Sequence, residues 1–316
     1  MTSSKCTTCR GIVLETIKQA KADAEEATPA KEVAPAQAAG KGISAVREQA
    51  ADLALLAAPV KLLWPIRQVF QVWFLNGDKY PEHVALVKDT VREWEKYAKV
   101  SFMFPSDWNP NSPPEVRLRF WVKPEGFEPE NEHQDVDDGH WSYIGLDCKY
   151  HIKGNKQPNF WKPTMSLHPD DLSEEAGRVV FRGIILHEFG HTLGFMHEHQ
   201  RPDGEAYLKY DMNKIYEYYK RDQDWDEADV KNQVLNFHEY RGKSDVVGNK
   251  FDTKSIMMYD VPKEILLPGY PAIPRNNVLS DGDKKFVGRL YPENVRTLWE
   301  PVEIIPDPMP NPMPNP

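Results

Sequence analysis

Three histidines in one short segment constrain this chain more than any other feature. The segment reads His187-Glu-Phe-Gly-His191-Thr-Leu-Gly194-Phe-Met-His197. On an α-helix, residues four apart are turned by only about 40° from each other, so His187 and His191 share a face and both rings can reach one cation. His197 cannot join them while the helix continues, because it would then lie about 15 Å along the axis from His187. The helix must stop and the chain must turn back. Gly194 sits where a left-handed residue makes that reversal without steric cost. Glu188 follows the first histidine and is the candidate general base for a metal-bound water. The pattern implies one zinc ion per chain, with His187, His191 and His197 as ligands and further positions left open for water and substrate.

The net charge of −9 and the lack of any long Lys/Arg run argue against nucleic acid or an anionic membrane as partner. Three cysteines, Cys6, Cys9 and Cys148, are too few and too scattered for a disulfide framework. Cys6-x-x-Cys9 has no second pair to complete a metal site and reads as a solvent-exposed pair in a tail, whereas Cys148 falls within the expected core. The first ten residues are polar, and the apolar cluster Gly11-Ile12-Val13-Leu14 stops at Glu15. No signal peptide is therefore expected, which makes a cytoplasmic location the default. The stretch Ala51 to Trp64 is interrupted by Asp52, Pro59 and Lys61 and is too short to span a bilayer.

Composition divides the chain in three. Residues 1–64 read as a flexible N-terminal extension, with an amphipathic helix over 43–63. Residues 65–292 form the expected domain, and 293–316 form a proline-rich, disordered tail. Within the domain, strands are expected at Gln68–Leu75, Val100–Phe104, Val116–Val122, Trp141–Gly145 and Thr164–Leu167. One helix should open at Pro81 and run to Tyr97, and a long one should run from Ser173 to Leu193. Ser280 should cap the last helix. The run from Tyr216 to Trp225 reads as a charged helix face. The fold class is α+β.

With these motifs in view, the chain resembles the metzincin clan and, within it, the astacin family. The segment His187-Glu-Phe-Gly-His191-Thr-Leu-Gly194-Phe-Met-His197-Glu198, followed by Arg201-Pro202-Asp203, is similar to the family's zinc signature. Ser255-Ile256-Met257-Met258-Tyr259 resembles its methionine turn, and Trp141-Ser142-Tyr143-Ile144-Gly145 resembles its edge strand. The resemblance implies a mixed twisted sheet with helices in an upper part, a mostly irregular and helical lower part, and an active-site cleft between them. It implies a zinc endopeptidase acting on a peptide or protein, with Glu188 and Tyr259 as catalytic residues. Met257 would pack beneath the metal. Tyr259 would serve as an extra ligand at rest and swing away to stabilise the transition state. Trp141, Ser142 and Tyr143 would line the bound substrate.

The chain departs from the family in lacking the cysteines for two usual disulfides, although the family is commonly secreted. It also carries Met258 where the family often has histidine. Phe74-Leu-Asn-Gly77-Asp78 imitates the aspartate segment of the family's zymogens with one residue too many, and reads instead as the end of the first strand. Cys148 as a zinc-blocking thiol has no prosegment pattern around it. Glu198 is expected just behind His197, supporting that ligand or solvated. His199 is expected at the surface, and His140, His151, His168 and His238 receive no ligand role. Two alternatives to an endopeptidase stand beside it: a catalytically silent or latent zinc-containing module that binds a peptide or protein, and a zinc hydrolase of a non-peptide amide. Oligomeric state is not legible.

Overall fold

A computed structural model describes residues 58–59, 62–107, 113–122, 140–150, 162–201, 204–223, 225–235, 246–247 and 251–293. Five short strands build the sheet that carries the upper half: β2 (Val69–Phe74), β3 (Ser101–Met103), β4 (Val116–Phe120), β5 (Trp141–Ser142) and β6 (Met165–Leu167). Their order is β3-β2-β4-β6-β5. The first four pair in parallel, and β5 runs antiparallel to β6, with Trp141 opposite Ser166 and Ser142 opposite Met165. This reversed strand ends the order, so among the described residues one of its backbone edges has no strand beside it.

Two helices pack on this sheet. Helix α1 (Pro81–Glu95) starts at a proline, whose fixed φ suits the first turn, and buries Leu86, Val87, Thr90, Val91 and Trp94 at helical spacing. Helix α3 (Glu175–Thr192) is exposed at its start and buried from Gly183 onward. The Trp94 indole N–H donates to the Leu186 carbonyl at 3.2 Å, tying α1 to the middle of α3. Phe70, Val72, Leu118, Phe181, Ile185 and Phe189 join sheet and helices in one apolar core.

A second core lies under shorter pieces. These are α4 (Gly204–Tyr207), α5 (Met212–Gln223), α6 (Glu227–Gln233) and the irregular stretch from Val261 to Ile273. Tyr219 and Trp225 stack at 5.1 Å between ring centroids, both buried. The run from Tyr216 to Trp225 is thus charged on one side only and feeds this core with the other. A one-turn helix α2 (Asp147–Tyr150) follows β5, and the final helix α7 (Asp281–Leu290) returns to the first core through Phe286 and Val287. The fold is α+β. Among the described residues, no helix is long and apolar enough to cross a membrane.

Two differences from expectation lie at the N-terminal boundary. Ala58–Pro59, within the span expected as a helix, forms strand β1 and pairs antiparallel with β7 (Val246–Val247). A proline cannot continue a helix interior but is tolerated in a short edge strand. Leu63 and Trp64, expected in the extension, belong to the core. The Trp64 indole N–H donates to the Thr192 carbonyl at 2.7 Å, and the Leu62 carbonyl accepts from the Leu146 N–H at 2.8 Å. Most of the expected helix at 43–63, the Cys6/Cys9 pair, His151, His238 and nearly all of the proline-rich tail lie outside the described residues.

Candidate metal centre

The three histidines meet as the spacing requires. His187 and His191 leave the same face of α3 with ring centroids 4.8 Å apart, and His197 returns to within 4.7 Å of His191 and 5.3 Å of His187. The return is made by a Schellman turn, in which the Gly194 N–H donates to His191 O at 2.8 Å and the Phe195 N–H to Gly190 O at 2.9 Å. Gly194 has φ +99°, and a Cβ there would also approach Leu63 Cδ2 to 2.9 Å. The same turn presents the Phe195 carbonyl to His191 Nδ1 at 2.7 Å. One local motif therefore ends the helix, brings back the third histidine and orients the second.

Each ring is held by its Nδ1. His187 Nδ1 donates to Ile256 O at 2.8 Å, His191 Nδ1 to Phe195 O, and His197 Nδ1 to Gln200 Oε1 at 3.1 Å. Because carbonyl oxygens only accept, each ring carries its proton on Nδ1 and turns the Nε2 lone pair inward. His191 Nε2 and His197 Nε2 are 3.1 Å apart, and one ligand atom from each of the three residues falls within 4.8 Å of the others. Burial pushes the His187 pKa down to about 4 and holds His191 and His197 well below the usual imidazole range. Three neutral imidazoles with converging lone pairs repel one another unless a cation lies between them. That donor set suits a divalent ion of the zinc type.

Glu188 is 1% exposed, and its Oε2 has no hydrogen-bond partner among the described residues. Burial pushes its carboxyl up to about 8. A buried carboxylate oxygen left unmatched by protein donors calls for a water or a proton. Beneath the centre lies Met257: a Cβ added to Gly190 would approach its sulfur to 2.5 Å. Gly190 is thus the residue that lets the methionine sit against the helix between the two ligands. Tyr259 is half-buried, its ring centroid 4.4 Å from His197, 6.0 Å from His187 and 4.3 Å from His199.

The turn after His197 corrects one expectation. His199 is 0% exposed, stacked on His197 at 5.1 Å and facing Tyr259. A 3-10 turn over Glu198–Gln200 folds both residues inward. Glu198 is fully buried, which excludes the solvated alternative: its Oε1 accepts from Asp252 N at 2.7 Å and Arg201 at 3.3 Å, and its own N–H donates to Met257 O at 2.9 Å. Trp141 and Ser142 are buried and Tyr143 half-buried. Ser142 Oγ lies 3.1 Å from Thr192 Oγ1, which ties the edge strand to the end of α3. Cys148 is outside the metal cluster; burial pushes its thiol up to about 12, and it donates to Tyr143 O at 3.7 Å. His140 and His168 both flank Asp170.

The sequence alone gives no role to Gln200, which holds His197, or to Gly190, which admits Met257. The glycine inside the histidine motif was the one local signal for either of them.

Comparison with known proteins fits this geometry. The profile of the astacin peptidase family matches residues 172–264, the span from the start of the ligand helix to just past the methionine turn. Astacin-like metalloprotease toxin 4 of Loxosceles laeta is 36% identical over 92 residues, 29% of this chain and 67% of the toxin. This chain belongs to the astacin family. A second astacin relative, zinc metalloproteinase nas-12 of Caenorhabditis elegans, is 29% identical over 123 residues, 39% of this chain. That match spans only 23% of nas-12, so this chain represents under a quarter of that relative's length. The solved structure of myroilysin superposes with a TM-score of 0.61 at 28% identity, covering 75% of this chain and 99% of myroilysin. The fold shared with myroilysin thus extends well beyond the segment that the family profile matches.

Proposed function

We propose that this chain is a zinc-dependent endopeptidase in which Glu188 is the general base. The observation that carries the proposal is a buried carboxyl, its Oε2 without a partner among the described residues, on the helix that presents His187 and His191 and beside the cluster of converging neutral imidazoles that His197 completes. When bound by His187, His191 and His197, zinc would polarise a water molecule and the scissile carbonyl. Glu188 takes the proton of that water and passes it to the leaving amine. Its apolar surroundings suit this double duty, because a carboxylate that ionises reluctantly is a stronger base once charged. Tyr259, its ring tilted beside that of His197, supplies a hydroxyl to the developing oxyanion, and at rest it would serve as a further metal ligand. Met257 and Gly190 hold the ligand helix from below, and Glu198 fixes the turn that carries His197. Strand β5 offers an extended peptide its outer backbone edge, while the buried Ser142 hydroxyl keeps that strand attached to α3.

The test is cleavage of an unstructured protein by the zinc-loaded chain beside Glu188→Ala. The variant is expected to retain zinc and lose turnover by about 10²–10⁴-fold. Equal cleavage by both proteins, or none by either while each holds zinc, would sink the assignment.

A further inference from the structure

We infer that Asp283, on the last helix, is a positioning residue for the metal centre that acts on His187 through the Ser255 hydroxyl and the Ile256–Met257 peptide. The inference rests on His187, His191 and His197 holding the metal. Four groups form an unbroken line. His187 Nδ1 donates to Ile256 O at 2.8 Å. The N–H of the same peptide unit, on Met257, donates to Ser255 Oγ at 3.0 Å. Ser255 Oγ then donates to Asp283 Oδ1 at 2.6 Å.

Every polarity in this line is forced. A carbonyl only accepts, a peptide N–H only donates, and a hydroxyl already accepting from Met257 has its proton free for the carboxylate. The last link is as short as expected for a hydroxyl bonded to a charged acceptor. All three bonds point the same way, so the charge on Asp283 polarises the peptide and strengthens the bond that His187 makes to it. A metal-ligating histidine donates its other ring N–H to a carboxylate, a backbone carbonyl or a water, and a carboxylate partner can be met directly. Here a hydroxyl and a peptide are interposed.

Helix capping accounts for only part of Asp283. Its Oδ2 accepts from Ser280 N at 2.8 Å, completing a capping box, and from Ile256 N at 2.8 Å. Its Oδ1 takes no part in the cap. The residue is fully buried, and burying a carboxylate that serves only as a cap is costly when a surface residue could do the same. The cap and the line to His187 can be separated, because Ser280 belongs to the first and Ser255 to the second.

The experiment measures zinc affinity of the full chain by competition with a chromophoric chelator, alongside metal-free melting temperature and the visible spectrum of the cobalt(II)-loaded protein. The variants are Asp283→Asn, Ser255→Ala and Ser280→Ala. Asp283→Asn and Ser255→Ala are expected to weaken zinc binding by about 10–100-fold and to alter the cobalt bands. Ser280→Ala should lower the metal-free melting temperature and leave zinc affinity unchanged. Unchanged affinity in the first two variants overturns the inference, as does an equal loss in Ser280→Ala. If Asp283→Asn fails to fold, Ser255→Ala decides alone. A wild-type chain that takes up no zinc overturns the metal site and this inference together, whereas a zinc-binding wild type with unaffected variants overturns this inference only.

Discussion

The two cores of this molecule are built in different ways, and the metal centre lies where they meet. The upper core is made of regular elements, a five-stranded sheet and helices α1 and α3, whose buried residues recur with the periods of strand and helix. The lower core gathers Leu208, Ile215, Trp225, Val230 and Ile265 from short helices and irregular chain. Its segments are tied by single bonds such as Leu267 N to Lys209 O at 2.8 Å and Asp211 N to Ile265 O at 2.9 Å. The methionine turn straddles the boundary, with Met257 in the upper core and Met258 in the lower. Regular elements thus supply the first two histidines. The irregular side supplies the groups that orient and cover them.

If that division is right, equivalent deletions should differ between the halves. Trp94→Ala is expected to cost about 3–5 kcal/mol, since the rigid α1–α3 contact cannot close over the void and the bond to Leu186 O is lost. Trp225→Ala should cost less, because short irregular segments collapse more readily into a cavity. Chemical unfolding of the two variants decides, and an equal or reversed ranking would erase the distinction.

Acid should strike the seam rather than either core. In metal-stripped protein His187 has its pKa pushed from 6.5 to about 4, and the other two histidines are lowered as well, so their stabilisation is present above pH 6.5 and lost as pH falls toward 4. His187 alone accounts for ~3 kcal/mol of that loss. Glu188, raised from 4.5 to about 8, and Asp283, raised from 3.8 to about 6, act in the opposite sense and gain stability as pH falls through their own windows. Of these five groups, three histidines outnumber two carboxyls below pH 6.5, whereas between 8 and 6.5 Glu188 alone is within its window. The melting temperature of the stripped protein should therefore peak at about pH 6.5. A steady rise from pH 5 to 9 would contradict this account.

Smaller effects refine the contrast. Gly194→Ala places a side chain at φ +99° and against Leu63, costing about 1–2 kcal/mol, and it should lower zinc occupancy, read by metal analysis after dialysis. Asp226→Ala removes the capping box of α6 in the lower half and should cost about 1 kcal/mol in thermal unfolding with zinc affinity intact.

Legibility followed the same division. Strands β2 to β6 and helices α1 and α3 fall within a few residues of expectation because short apolar runs and helix-spaced apolar residues mark them locally, and the three histidines are legible because a helix followed by a glycine turn is local geometry. What stayed hidden was set by distant chain. His199 reads as a surface residue until the turn over Glu198–Gln200 is seen folding beneath Tyr259. Trp64 reads as part of a tail because its partner, the Thr192 carbonyl, lies at the far end of another element. Asp283 receives no role from the sequence, which marks only Ser280 as the cap, since its link to Ser255 follows from how α7 docks.

The distance along the chain between His187 and Ile256 has a consequence for the order of assembly. All three candidate ligands lie in one short stretch, so a newly made chain can capture a metal ion there before the rest has folded. The carbonyl that selects the proton position on His187 arrives 69 residues later in sequence, and only once the methionine turn has docked. Capture of the ion and maturation of the site are then separate kinetic events, the second limited by closure of a long loop. Metal content measured early in refolding would precede the native ligand environment, and a spectroscopic probe bound at the site would show the lag.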